Sequence, residues 1–274
     1  MPLNYAIKYS PLVDERFTLG ALTNGIVNNN YDWIGVETVK VFSRNLATLG
    51  NYSMTGTSRY GTPADLVNTV QTFTLSQDKA FTYIIDRKTE GNTVGTMEAA
   101  ATLRENIDNV MIPAIDTYRI AALVSGCPAG HVKTAAVTAS NAYAEFLAVQ
   151  EMLDDDKAPV GGRRVLVTPG FLNKLKLDEN FIKRGDLATE IGINGVVGEV
   201  DGVPVIKAPT SYFPANVDFV ITHPLVMPSP IKFAEMKIHE EPQGISGWLV
   251  ECRFYYDAFV LANKANAIGV HKNQ

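Results

Sequence analysis

Between Phe73 and Ile85, apolar and polar residues alternate over a run longer than an ordinary strand, and this constrains the fold more than any other feature. Phe73, Leu75, Phe81, Tyr83 and Ile85 fall on one face, and Thr74, Ser76, Asp78, Thr82 and Asp86 on the other, the period of a half-buried strand. At ~3.3 Å per residue the run would extend roughly 40 Å, against a mean strand of about 5–6 residues. Upstream, Val36 to Arg44 is rich in Val, Thr and Phe and predicts a partner strand. The residues between carry turn chemistry: Gly50, Asn51, Gly56, Gly61 and Pro63. A long hairpin is therefore expected. A hairpin alone is marginally stable in water, so its apolar face must be covered by this chain's own core or by a neighbouring copy.

The 274 residues are 46% apolar, enough for one large domain or two modest ones with a real core. Only 19% are charged, against about 25% in a typical soluble domain, which fits a chain that buries much of its surface. The net charge of −5 argues against a dedicated nucleic-acid binder, where a basic footprint is expected. Cys127 and Cys252 are the only cysteines and have no metal-ligand spacing, which suits reduced thiols in a cytosolic setting. His131, His223, His239 and His271 form no i, i+4 pair, so no metal or cofactor is expected. The start Met1-Pro2-Leu3-Asn4-Tyr5 lacks a basic n-region and no long apolar run follows, so neither a signal peptide nor a membrane span is expected.

Residues 1–32 predict an irregular arm with a helical turn around Asp14 to Leu22. After the hairpin, Thr96 can cap a helix whose apolar face is Leu103, Ile107, Val110, Met111, Ala114, Ile115, Tyr118 and Ala122. It ends at Ser125-Gly126, and Pro113 should bend or break it. A second helix is expected from Thr134 to Asp154, with Ala142, Phe146, Val149 and Leu153 on one stripe. Val165 to Thr168 predicts a short buried strand, Phe171 to Leu177 a short helix, and Val203, Val205 and Ile206 another strand. Ile231 to Glu240, the turn Pro242-Gln243-Gly244, and a return from Trp248 to about Ala262 predict a second long hairpin. In that return Trp248, Val250, Cys252, Phe254 and Tyr256 share one face, with Glu251, Arg253 and Asp257 on the other. Two long hairpins and a long helix expose much apolar surface unless copies pack together.

Other short patterns have plain readings. Gly192, Gly195 and Gly198 lack the GxGxxG spacing and strand-to-helix context of a dinucleotide site and predict a loop. Gly244-Ile245-Ser246-Gly247 lacks nucleophile-elbow spacing and predicts the hairpin turn. Asp154-Asp155-Asp156 predicts a solvated helix end rather than a cation site. The basic pairs Arg163-Arg164 and Lys183-Arg184 suit carboxylates of a neighbouring copy better than DNA phosphates, given the acidic total. Arg59 and Tyr60 at the hairpin tip are residue types enriched where proteins anchor into one another.

The order arm, hairpin, helix, α/β block, hairpin resembles the major capsid protein of tailed bacteriophages, the Hong Kong 97-like fold. The strings that carry the resemblance are Tyr9-Ser10-Pro11-Leu12-Val13-Asp14-Glu15-Arg16-Phe17, Tyr31-Asp32-Trp33-Ile34-Gly35-Val36, Ser58-Arg59-Tyr60-Gly61-Thr62-Pro63 and Ile112-Pro113-Ala114-Ile115-Asp116-Thr117-Tyr118-Arg119. They recur in the right order, and the resemblance spans essentially the whole chain. The resemblance implies an α+β fold with an N-terminal arm (1–32), an extended hairpin loop (33–92) lying over a neighbour, and a peripheral domain (93–128 and 224–262) built on a long spine helix. An axial domain (129–223 and 263–274) would meet its copies around five-fold and six-fold axes. The implied function is structural: hexamers and pentamers forming an icosahedral phage head around double-stranded DNA, assembled in the host cytoplasm and located in the virion. Partners would be copies of the chain, a separate scaffolding protein, since the arm begins almost at Met1, a portal, and packaged DNA held without sequence preference. Lys40, Lys79 and Lys88 lie in the hairpin, but nothing selects one for a crosslink, and none is expected. Glu37, Arg44, Arg59, Tyr60, Asp65, Phe73, Phe81 and Tyr83 are the candidate contacts between subunits. The alternatives are an encapsulin-type nanocompartment shell of the same fold, and a soluble α+β enzyme, for which the chain offers no converging nucleophile, base or metal set.

Overall fold

The computed structural model describes residues 21–28, 30–31, 38–44, 46–63, 65–92, 99–179 and 196–274. Contacts divide the chain into two units, Trp33–Leu75 and the remainder, Met1–Asp32 with Ser76–Gln274.

In the smaller unit, β1 (Thr38–Arg44) pairs antiparallel with β2 (Asn68–Thr74), from Thr38 opposite Thr74 to Arg44 opposite Asn68. The single strand expected from Phe73 to Ile85 is in fact two. β2 ends at Thr74, and β3 (Gln77–Asp86) takes a different partner in the larger unit. The amide and hydroxyl of Ser76 both donate to the Asp257 carboxylate, at 2.7 and 2.9 Å, which takes the chain out of the first ladder. Phe73, Leu75, Phe81, Tyr83 and Ile85 keep one phase on both sides of the break, although Gln77 and Lys79 interrupt the apolar face there, and period alone does not say which strand each half pairs with.

β3 is one edge of a three-stranded antiparallel sheet, β3-β10-β9, with β9 at Ile231–Glu240 and β10 at Gly247–Tyr256. β10 buries Val250, Cys252, Phe254 and Tyr256, as its alternation predicts. Glu251 and Arg253 are exposed, but the expectation that Asp257 joins them is corrected: β10 stops at Tyr256, and Asp257 is buried with its amide bonded to the carbonyl of Pro230.

After the short α1 (Arg87–Asn92), helical structure runs without interruption over residues 99–125 as α2 (Ala99–Asn106), a π turn (Ile107–Met111) and α3 (Ile112–Ser125); the Thr96 cap lies outside the described residues. The amide of Ile112 reaches the carbonyl of Ile107, five residues back. Pro113 follows directly; it has no N–H, and its ring crowds the carbonyl four residues earlier. A single wide turn absorbs that conflict, so the helix continues past Pro113. Leu103, Ile107, Met111, Ile112 and Ile115 pack with Ile85, Met236, Val250, Cys252, Phe254 and Tyr256 into one core, each such side chain contributing roughly 1.5–3 kcal/mol by leaving water. Farther along, Ile120 and Leu123 enter a second core. One helix thus supports both sheets of this unit.

The second sheet has six strands in the order β4-β11-β8-β5-β7-β6: β4 (Val132–Thr134), β5 (Arg164–Val167), β6 (Val196–Val200), β7 (Val203–Lys207), β8 (Val217–Thr222) and β11 (Gly269–Lys272). Both faces are covered. Leu166, Ile206, Val220 and Val270 point to the core containing Ile120 and Leu123, while Val165, Val167, Phe219 and Ile221 pack with Phe146, Val149 and Leu153 of α4 (Ala142–Asp155) and Phe171 and Leu175 of α5 (Pro169–Leu177). The helix expected from Thr134 begins eight residues later, because Thr134 belongs to β4, paired in parallel with β11.

Candidate functional site

The smaller unit is where apolar chemistry meets solvent. Hydroxyl pairs cross the ladder near both ends, Thr38 with Thr74 at 3.0 Å and Ser43 with Thr69 at 2.7 Å. Beyond it the loop folds on itself: the amide of Ser53 donates to the carbonyl of Arg59 at 2.9 Å, and the amide of Gly61 to that of Ser58 at 3.1 Å. Gly56 and Gly61 sit at φ +88° and +89°, which glycine adopts without a Cβ penalty. Tyr52 and Tyr60 meet edge to face, ring centres 5.1 Å apart, yet Tyr60 is 90% exposed. Fourteen large apolar side chains among the described residues are exposed, and nine lie in this unit: Phe42, Leu46, Leu49, Tyr52, Met54, Tyr60, Leu66, Val67 and Val70. Scattered exposed apolar residues are ordinary; nine of the fourteen falling in one unit make it the candidate interaction surface among the described residues.

Of the candidate contacts, Arg44, Arg59, Tyr60, Asp65 and Phe73 fall in this unit, where Phe73 is buried and the other four exposed. Arg59 donates to the carbonyl of Gly56 at 3.3 Å. Glu37 lies outside the described residues. Phe81 and Tyr83 are on β3, half-buried and stacked with ring centres 6.3 Å apart, beside this chain's own helical core. The Tyr83 hydroxyl donates to Thr102 at 3.0 Å, and burial pushes its pKa up.

Arg163 corrects an expectation. It faces neither DNA nor a neighbour: it is 2% exposed, donates to the carbonyls of Pro159 and Ala158 at 2.9 and 2.7 Å, and pairs with Asp154 at 2.7 Å. Arg164 is half-buried at the start of β5, its guanidinium beside Gly25; Lys183 and Arg184 lie outside the described residues. Asp156 engages the buried His131 at 2.8 Å, so two of the three acidic residues at the helix end are held by this chain's own cations and imidazole. Among the described residues no group of three His, Cys, Asp or Glu is arranged to hold a metal, and no helix is long and apolar enough to cross a membrane. Burial pushes the Cys127 thiol up to about 12 and that of Cys252 to about 11, leaving both protonated and unreactive near neutrality.

Sequence reasoning missed the polar interior of the larger unit. Asp116 accepts the amide of Leu22 at 3.0 Å and the amide and hydroxyl of Thr23 at 3.3 and 2.5 Å. Burial pushes its carboxyl up, while the Thr23 hydroxyl, Arg119 and the two amides pull it back. Arg119 donates to Thr23 at 2.9 Å, Asn24 at 3.1 Å and Ser229 at 2.9 Å. These bonds fix the 3-10 turn Leu22–Ile26 against α3. The signal was a charged pair spaced i, i+3 inside a string already singled out, Ile112 to Arg119, on a helix whose neighbouring positions are apolar.

No protein-family model matches the chain, and no curated protein does. Solved structures do. A chain from Mycobacterium phage Che8 superposes with a TM-score of 0.69 at 15% identity, over 92% of this chain and 90% of that one. A chain from the head structure of Helicobacter pylori bacteriophage KHP40 gives 0.66 at 11% identity, over 93% and 91%. One from the asymmetric unit of the bacteriophage PhiM1 mature capsid gives 0.64 at 13% identity, over 90% and 84%. The α+β fold with its long helix is therefore shared with these chains nearly end to end, as the sequence strings led us to expect.

Proposed function

We propose that this chain is the repeating shell subunit of a phage head, building hexamers and pentamers that close into an icosahedral container for double-stranded DNA. Its end-to-end likeness in fold to chains from a phage head and a mature phage capsid carries this reading. The role is mechanical. Each copy offers the apolar side chains of its 33–75 unit to neighbours, and many modest contacts add up to a shell that no single copy can stabilise. Lys40, Arg44 and Arg59 against Glu37 and Asp65 give that unit one net positive charge, leaving six net negative charges on the rest of the chain. Opposite signs favour the unit of one copy on the larger unit of the next.

In this reading residues 1–32 are an arm and 33–92 the extended loop with β3 at its end. Residues 93–128 and 224–262 form a peripheral domain, and 129–223 with 263–274 an axial one. Glu37, Arg44, Arg59, Tyr60, Asp65 and Phe73 contact neighbours, with Phe81 and Tyr83 at the loop's base. A separate scaffolding protein and a portal are its assembly partners, and packaged DNA touches the shell without sequence preference. The test is electron microscopy of the purified full chain, with and without its scaffolding partner. Closed shells or capsomer rings are expected. Deleting residues 46–64 should leave a protein with unchanged circular dichroism that no longer assembles; normal particles from that deletion would refute the loop's role.

A further inference from the structure

A continuous hydrogen-bonded path crosses the interior of the larger unit, joining the N-terminal turn to the residue where the smaller unit returns to it. At one end are Thr23 and Asn24, held by Arg119. The Arg119 Nε donates to the Ser229 hydroxyl at 2.9 Å, and that hydroxyl donates to the carbonyl of Asp257 at 2.7 Å. At the other end the Asp257 carboxylate accepts the amide and hydroxyl of Ser76 through Oδ2, and the Tyr118 hydroxyl at 2.7 Å and the amide of Ala258 at 2.8 Å through Oδ1. Thr23, Asp116, Arg119, Ser229 and Asp257 are all buried. Tyr118 and Arg119 are consecutive on α3, so one turn of the helix grips both ends.

We infer that Arg119 and Asp257 are positioning residues that couple the seating of the N-terminal turn to the anchoring of the hairpin root at Ser76. The physical ground is that a buried donor deprived of its partner has no water to turn to, and groups in one buried network relax together rather than singly. Releasing Thr23 leaves an Arg119 N–H without its acceptor; the guanidinium shifts, Ser229 follows, and the Asp257 main chain that carries the Ser76 acceptor moves with it. Coupling between two sites is reciprocal, so loosening Ser76 must also loosen Thr23. This is a property of the single chain and does not depend on the shell reading.

Hydrogen exchange on the purified, unassembled full chain tests it. Thr23→Val keeps the shape and removes the hydroxyl; it is expected to speed exchange at the Ser76 amide by about fivefold or more. Asp257→Asn should speed exchange at the Leu22 and Thr23 amides by a similar factor, and Ser76→Ala, the mildest change, should do so in the same direction. Val149→Ala, in a separate core, lowers overall stability but should leave these amides within about twofold of the parent. The inference is overturned if either end stays within about twofold when the other is altered, or if Val149→Ala accelerates both ends equally.

Discussion

At the level of single residues, burial turned charged side chains from surface features into internal struts. Arg163 was legible in the sequence only as half of a basic pair, because its partners are two carbonyls and an aspartate brought together by the turn after α4. Truncating it removes a fully buried side chain together with its charge-assisted bonds to two carbonyls and Asp154, so Arg163→Ala should lose about 3 kcal/mol in urea unfolding. Asp154 is half-exposed, and Asp154→Asn should cost about 1 kcal/mol or less; equal losses would contradict this account. Tyr118 gives a pH signature. Burial, reinforced by its bond to Asp257, pushes its hydroxyl up to about 12. The folded pKa is raised above the unfolded value near 10, so the stabilisation is complete below about pH 10 and is lost as pH rises towards 12. Denaturant titrations should show Tyr118→Phe losing stability less steeply than the parent across that window; parallel curves would remove Tyr118 from the alkaline limb.

At the level of elements, periodicity located most pieces and partner choice escaped it. The alternation of β10 was readable because it buries one face; on the long helix the expected stripe holds at Leu103, Ile107, Met111 and Ile115, but Val110 and Ala114, expected on the same face, are exposed. β8 was missed because Val217 to Thr222 is covered on both faces, and such a strand has no alternation to detect. The pairing of β3 with β10 rather than β1 depends on Ser76 finding Asp257, far away in sequence. Gly247 marks that pairing. It sits at φ +142° opposite Asp86, and an added Cβ would lie 2.1 Å from the carbonyl oxygen of Ile85. Gly247→Ala should therefore cost about 2 kcal/mol or more in thermal or urea unfolding. Gly244→Ala, also at positive φ but with open space around it, should cost about 1 kcal/mol; the reverse order would mean the close approach is not what selects glycine at Gly247.

At the level of the whole molecule, the proposed shell role predicts that the smaller unit's exposed apolar residues matter little to the monomer and much to assembly. Phe42 and Val70 face each other across the β1–β2 ladder, and both are exposed. Phe42→Ser with Val70→Thr should leave monomer stability within about 0.5 kcal/mol while sharply reducing particle yield by sedimentation; unchanged yield would clear this pair of any role between copies. The chain's amino-acid order alone determined the long helix, the strongly alternating strands and the turn-rich hairpin tip, because these follow from local period and turn chemistry, while the α+β fold class is expected from the resemblance of its strings to phage capsid proteins. Tertiary structure alone decided where the long alternating run divides, which sheet each half joins, how Pro113 is accommodated, and that Asp116, Arg119, Arg163 and Asp257 are interior. Each of those outcomes depends on which distant groups share the same water-free space, and hydrogen bonds formed there are set by three-dimensional proximity that no local pattern encodes.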